Sequence, residues 1–401
     1  MATRDAEALK DEACRLVDER RDEILAVSRE IWENPELGLQ EHKASALLCG
    51  KLDGHGIEVR RGIAGLETAF RADFGGKGPV VSIMAEYDAL PGVGHGCGHN
   101  IIAAGSLGAA LALAGLGARL PGSVRFLGTP AEESAVEGAG GKAPILRDGH
   151  VKGVDAAIMI HPGSRTRPAT KPSLAARALK VEFFGKASHA ASSPHLGINA
   201  LDAVVQTFNA INALRQQVQP DARIHGVITH GGDSPNVIPA YAAARIRVRA
   251  NKASYLKELY DRVLACAEGA AKATGARLEW REDVYPYHNT VPNAPISEAL
   301  AANLRRLGLK IDELDEDAGS GSTDFGNVSH AVPASFAYLA IAPAGTAGHS
   351  VEMCEAAGSR AGAKACIDGA KLLALTAIDL MTDAGLLARA KAEFEQAERL
   401  T

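Results

Sequence analysis

From Gly94 to Gly105 the chain reads GHGCGHNIIAAG, which sets His95, Cys97 and His99 within five positions and then turns small and apolar. A thiol between imidazoles has four chemical readings: covalent nucleophile with a histidine base, metal ligand, half of a disulfide, or buried bystander at the start of a helix. Other polar groups bear on the choice. Asp88 lies in EYDALPG, Glu132 and Glu133 follow RFLGTP, His161 follows AAIMI, and His349 lies in GTAGHSVE. Cys97, His99, His161, His349 and a carboxylate form a donor set for one or two divalent transition ions, with imidazole and thiolate favouring zinc or a neighbour over magnesium or calcium. Each residue alone has a plainer explanation. A strand-end histidine is a hydrogen-bonded structural group, a glutamate pair is a solvated helix start, and Cys97 is a small hydrophobe. Their joint occurrence, in a chain with 13 histidines among 401 residues, favours a shared site. The adjacent glutamates suit a division of labour: one holds an ion while the other takes a proton from water whose pKa the ion lowers. That is the chemistry of hydrolysing an unactivated amide.

The elements around these residues place them at comparable positions. VVSIMAEYDAL (80–90), SVRFLGTPAEES (123–134) and AAIMIHPG (156–163) each read as a buried strand ending in polar residues, with helical stretches IIAAGSLGAALALAGLGARL and GGKAPILRDGH between them. Strands alternating with helices predict an α/β domain with a mainly parallel sheet, whose ligand sites gather at the C-terminal strand ends. Near Pro172 the character changes. LAARALKVEFFGKASHA, LGINALDAVVQTFNAINALRQQV, HGVITHGGDSPNVIPAYAAARIRVRA, YLKELYDRVLACAEGAAKATG and ARLEWREDVYP read as strand, helix, two strands across a turn, helix and strand. That order is the split βαβ pattern of a small α+β, ferredoxin-like domain. The α/β type resumes near Val291, so the expected division is a discontinuous domain of residues 1–172 and 287–401 with residues 173–286 inserted. Asp324, Asn327 and His330 in the glycine-rich GSTDFGNVSH are expected on a loop at the edge of the site, outside the ligand set.

Composition narrows the function classes. The formal net charge of −5, without a dense basic patch, argues against nucleic-acid and acidic-membrane partners. The charged, helix-periodic N-terminus, read as one helix, lacks the apolar core of a signal peptide, and the apolar stretches are interrupted as buried helices are. Six cysteines without a secretion signal then predict reduced thiols in a cytoplasm, which disfavours the disulfide reading of Cys97.

The motifs EYDALPGVGHGCGHN (86–100), GTPAEES (128–134), IHPG (160–163), GKASHAASSPHLGINALDA (185–203), NVIP (236–239), GSTDFGNVSH (321–330) and GHS (348–350) run through nearly the whole chain in one order. In that order they resemble the M20 metallopeptidase family, in its aminoacylase and amidohydrolase branch. The YDALPG and GHGCGHN wording is most similar to members acting on p-aminobenzoyl-glutamate or β-alanyl dipeptides. The resemblance implies a three-layer α/β/α catalytic domain and an inserted lid and dimerisation domain. It implies that Cys97, His99, Glu133, His161 and His349 hold one or two zinc, manganese or cobalt ions, with the Cys97 thiolate bridging. Glu132 would be the general base, and Asp88 would orient a histidine ligand. One departure stands out: branches with a His-x-Asp motif carry a metal histidine where this chain has Glu86, and His99 takes its place.

In the inserted domain the resemblance implies that His189 reaches into the partner subunit's site and stabilises the developing oxyanion, and that Asn236 and Arg249 hold a substrate carboxylate. Strand alternation puts Arg245, Arg247 and Arg249 on one side, so the motif alone leaves open which faces substrate. The implied function is metal-dependent hydrolysis of an N-acyl amino acid, an acyl-glutamate type conjugate or a dipeptide by a cytoplasmic homodimer, its substrate a small amide with a free carboxylate. The lid would hinge near Pro172 and Tyr285 to Val291. Alternatives are hydrolytic deamination of a small amine on the same fold, a metal-independent amidase with Cys97 as nucleophile, and a relative that only binds. His95 carries no assigned role.

Overall fold

A computed structural model describes residues 3–313 and 321–397; the parts of the expected catalytic domain at 1–2, 314–320 and 398–401 lie outside the described residues. The strands are β1 (Val59–Arg61), β2 (Phe70–Gly75), β3 (Val80–Ala85), β4 (Ser123–Gly128), β5 (Ala156–Gly163), β6 (Arg167–Pro168), β7 (Ala175–Phe184), β8 (Arg223–His230), β9 (Tyr241–Ala250), β10 (Arg277–Arg281) and β11 (Ala334–Ala340). They form two sheets, one of seven strands in the order β1-β2-β4-β3-β5-β11-β6 and one of four in the order β10-β7-β9-β8.

In the larger sheet β4, β3, β5 and β11 run parallel, and antiparallel strands close both edges. The apolar runs of the parallel strands are continuous because both faces are covered. Successive residues alternate between two cores. Ile83, Phe126, Ile158 and Ala337 pack with the helices His99–Gly115 and Arg360–Thr382, whereas Met84, Leu127, Met159 and Phe336 pack with Ile145, Phe325 and Val328 on the other side. This is the expected mixed α/β architecture with helices on both faces.

The smaller sheet is antiparallel throughout, and its element order of β7, helix Ala200–Leu214, β8, β9, helix Ala253–Thr274 and β10 matches the split βαβ expectation. It has its own apolar core against those two helices. Ala244, Ile246, Val248 and Ala250 of β9 point into that core, which turns Arg245, Arg247 and Arg249 to the opposite face.

Three local expectations differ. The N-terminal helix is two, Thr3–Glu19 and Arg21–Glu33, because the turn at Arg20 lets the first lie along Arg360–Thr382 and the second along His99–Gly115. The link from β8 to β9 is no tight turn: residues 231–240 reach back to pair with the segment after β7 through His189 and Val237. GSTDFGNVSH is no simple loop either, since Phe325–Ala331 is helical. Its Asn327 side chain accepts from His288 N and donates to Pro286 O, and Phe325 and Val328 are buried, so tertiary packing overrides the turn-forming composition. Among the described residues no helix is long and apolar enough to cross a membrane.

Gly128 ends β4 just ahead of the glutamate pair. A Cβ there would lie 2.1 Å from the ring of the fully buried Phe70, which packs against Tyr87 and Phe126. Gly128→Ala should therefore lose about 1–3 kcal/mol of stability through overpacking. The check is a lower urea midpoint at unchanged slope.

Candidate metal centre and substrate cavity

The C-terminal ends of the parallel strands carry the polar groups. Glu86 and Asp88 follow β3, Glu132 and Glu133 follow β4, and His161 lies in β5. Cys97 and His99 enter from the loop that starts the helix His99–Gly115. The glycines of GHGCGHN are steric requirements. Gly98 sits at φ +75° with its missing Cβ 2.8 Å from the Pro162 ring, so Cys97 and His99 are drawn against the strand that bears His161. At Gly96 a Cβ would meet Val93 at 2.8 Å and Ser350 O at 3.1 Å, and Gly96 O accepts from His349 N at 3.0 Å. His349 itself adopts φ +60°, a conformation that non-glycine residues seldom hold without support.

Asp88 organises the centre. Its Oδ1 lies 3.0 Å from His99 Nδ1, and its Oδ2 accepts from Glu133 N at 2.8 Å. The contact with Asp88 occupies Nδ1 of His99 and turns Nε2 inward, toward Glu86 and Glu132. Burial pushes the Asp88 carboxyl up, but the positive charge of His99 and the hydrogen bonds from His99 and the Glu133 and Glu132 backbone outweigh it and hold it below its ordinary range. His161 Nδ1 lies 2.7 Å from Pro162 O, so Nε2 faces Cys97 Sγ at 3.5 Å. Burial pushes His161 down to about 4, which keeps the imidazole neutral and able to donate a lone pair. Burial, with Glu133 alongside, pushes the Cys97 thiol up, so a thiolate there needs a cation beside it.

The glutamates differ in setting. Glu133 Oε1 lies 3.3 Å from Nε2 of the half-exposed His349. Glu132 Oε2 lies 4.0 Å from His99 Nε2, and its backbone carbonyl accepts from Tyr287 Oη at 2.5 Å. Burial and the carboxylates of Glu86, Glu133 and Asp324 push Glu132 well above the ordinary range, which favours proton uptake. The turn before them has Ala131 at φ +56°, held by Glu41, whose carboxylate accepts from Ala131 N at 2.8 Å and Thr68 Oγ1 at 2.9 Å.

Ligand-type atoms of Cys97, His99 and His161 lie within 4.8 Å of one another, as do those of Cys97, Glu133 and His349, and those of His99, Glu132 and Glu133. His99 Nε2, Glu133 Oε1 and Glu86 Oε2 are buried without a hydrogen-bond partner. A divalent ion with mixed nitrogen, sulfur and oxygen ligands fits such inward-facing donors.

A cavity of about 310 Å³ opens from Cys97, Glu132, Glu133, His161 and His349 toward the smaller sheet. Arg249 lines it and donates from Nη1 to Ser322 Oγ at 3.2 Å. Arg247 lines it too, 5.1 Å above the Tyr287 ring, whereas Arg245 is engaged by Asp283 at 2.5 Å. His189 and Asn236 are brought together, with Ala190 N donating to Asn236 O at 3.0 Å, but both are exposed and neither lines this cavity in the single chain. The His189 Nδ1 accepts from Ala191 N and Ser192 N, which leaves Nε2 to act as donor.

Lys142 had no distinguishing signal in the sequence. It is buried, with Nζ 2.6 Å from Glu86 Oε1 and 2.5 Å from Asp324 Oδ1, while Asp324 Oδ2 accepts from its backbone N at 3.1 Å. Asp324, expected at the edge of the site, therefore lies beneath it, and Glu86 faces His99 Nε2 at 3.6 Å. Asn327 and His330 turn away, the latter toward Asn289 O at 2.9 Å. His95 is buried with Nε2 3.0 Å from Ile31 O, a packing role.

Residues 82–378 match the model of peptidase family M20/M25/M40. The Xaa-Arg dipeptidase of Mus musculus is 38% identical over 407 residues, spanning 97% of this chain and 93% of that protein. A p-aminobenzoyl-glutamate hydrolase subunit of Escherichia coli (strain K12) is 29% identical over 458 residues, spanning 95% and 93%. Among solved structures, a dinuclear metal binding peptidase of the M20 family from Bacillus subtilis superposes with a TM-score of 0.65 at 24% identity, covering 91% of this chain and 99% of that one. The family match over most of the chain, with relatives alike from end to end, identifies the protein as a member of peptidase family M20/M25/M40, a hydrolase of amide or peptide bonds.

Proposed function

We propose that the protein hydrolyses the amide bond of an N-acyl amino acid, an acyl-glutamate type conjugate or a dipeptide with the help of one or two zinc, manganese or cobalt ions. The observation that carries the reading is the convergence of Cys97, His99, Glu133, His161 and His349 around inward-facing donors, with Glu132 beside them. These five would hold the ions. Bound there, divalent ions supply Lewis-acid polarisation of the scissile carbonyl and lower the pKa of the attacking water. Glu132, raised by its surroundings, takes the proton from that water and delivers it to the leaving amine. Asp88 keeps His99 in the tautomer that faces the ions. Arg249 holds the substrate carboxylate from the far wall of the cavity.

His189 and Asn236 act from a second copy, with residues 173–286 as lid and dimerisation domain and hinges near Pro172 and Tyr285 to Val291. A homodimer is supported by β8, an edge strand that leaves Val227 61% and Ile228 46% exposed. The free cysteines among the described residues support a reducing cytoplasm as the compartment.

Chelation should abolish release of amino acid, and zinc, manganese or cobalt should restore it; activity that survives chelation and disappears on thiol alkylation would instead make Cys97 a nucleophile. Glu132→Gln should retain bound metal, measured by elemental analysis, and lose about 10²–10⁴-fold in kcat. Full turnover in that variant would remove the general-base role.

A further inference from the structure

Arg249 has a neighbour with the same posture. Arg247 projects from the same face of β9, about 7 Å along the strand, and lines the same cavity. Its Nε, like that of Arg249, is buried without a hydrogen-bond partner. Among the described residues neither guanidinium has a carboxylate partner, whereas Arg245 on the same face engages Asp283. Arg247 is held from below by the Tyr287 ring, whose hydroxyl is fixed on the Glu132 carbonyl. A half-buried guanidinium whose Nε is buried without a hydrogen-bond partner, and which has no carboxylate partner among the described residues, is suited to pairing with an anionic ligand. Arg167 adds a third guanidinium to the cavity from β6, 5.4 Å from the Tyr338 ring and likewise without a carboxylate partner among the described residues. Among the described residues the lining carboxylates are Glu132 and Glu133, both at the metal end.

We infer that Arg247 is a specificity-determining residue that reads a second carboxylate, so that the preferred substrate releases an amino diacid of the aspartate or glutamate kind. Arg247 and Arg249 each take one carboxylate of the same residue, a spacing two strand positions apart can serve. A cationic side chain in that position meets like charge and is disfavoured. The inference rests on the amide-hydrolase reading of this site.

The test compares N-acetyl-glutamate, its isostere N-acetyl-glutamine and an arginine-ended dipeptide on the manganese-loaded enzyme, alongside calorimetric binding of free glutamate and free glutamine. The wild type should favour the glutamate compound over the glutamine compound by about tenfold or more in kcat/KM, and glutamate over glutamine likewise in Kd, as expected for a charge-assisted hydrogen bond. In Arg247→Gln both preferences should shrink to within about twofold, and Arg247→Lys should recover part of them. Equal treatment of the two by the wild type, a preference that survives Arg247→Gln, or a preference for the arginine-ended dipeptide would overturn the assignment. Selective binding of glutamate without cleavage of any amide would leave Arg247 as assigned and remove the hydrolase reading. Cleavage of the glutamate and glutamine compounds at equal efficiency would do the reverse.

Discussion

The Asp88 carboxylate, buried below the ends of β3 and β4, divides its two oxygens between two segments of chain: Oδ1 takes the Nδ1 side of His99, and Oδ2 takes the backbone N–H of Glu133. The first contact decides which imidazole nitrogen faces inward. The second fixes the path of the turn that presents Glu132 and Glu133. One carboxylate thereby registers the loop from β3 against the loop from β4, and the donors on each are brought to a common point. Around it the glycines of GHGCGHN let the chain approach Pro162 and Ser350 closely enough for His161 and His349 to join.

That point carries an excess of buried negative charge. Glu86, Asp88, Glu132, Glu133 and Asp324 are all buried, and Lys142 is the buried ammonium that faces Glu86 and Asp324. Lys142 compensates the deeper pair, leaving Glu132 and Glu133 to whatever cation enters from the cavity. Isolated charges are costly to bury. The fold accepts that cost here, with the Glu132 and Glu133 carboxyls pushed upward on the cavity side, an arrangement that favours binding of a divalent cation.

Much of this was legible because the physics was local. Apolar runs such as VVSIMA and AAIMI announce strands buried on both faces, and polar residues at their ends announce a site. Alternation in RIRVR places three arginines on one face, as the structure has them. What alternation omits is the partner of each: Arg245 meets Asp283, a residue 38 positions away, while Arg247 and Arg249 meet the cavity. Lys142 was opaque for the same reason. In GGKAPILRDGH it reads as an ordinary surface lysine, and only the fold brings Asp324, 182 positions on, to its ammonium. Asp324 and its helix were hidden by turn-forming composition that long-range packing overrides. His189 and Asn236 sit together, exposed, on the two segments that pair through His189 and Val237, away from the residues that line the cavity.

The dependence of the centre on Asp88 is open to direct measurement through Asp88→Asn, because an amide offers one acceptor oxygen where the carboxylate uses two. Its NH₂ would confront either His99 Nδ1–H or Glu133 N–H. Divalent-metal affinity, measured by competition with a chromophoric chelator on folded protein, should weaken about 10–100-fold. An unchanged affinity in a correctly folded variant would contradict the account, since it would mean that the centre assembles without the contact on which its geometry is argued to rest.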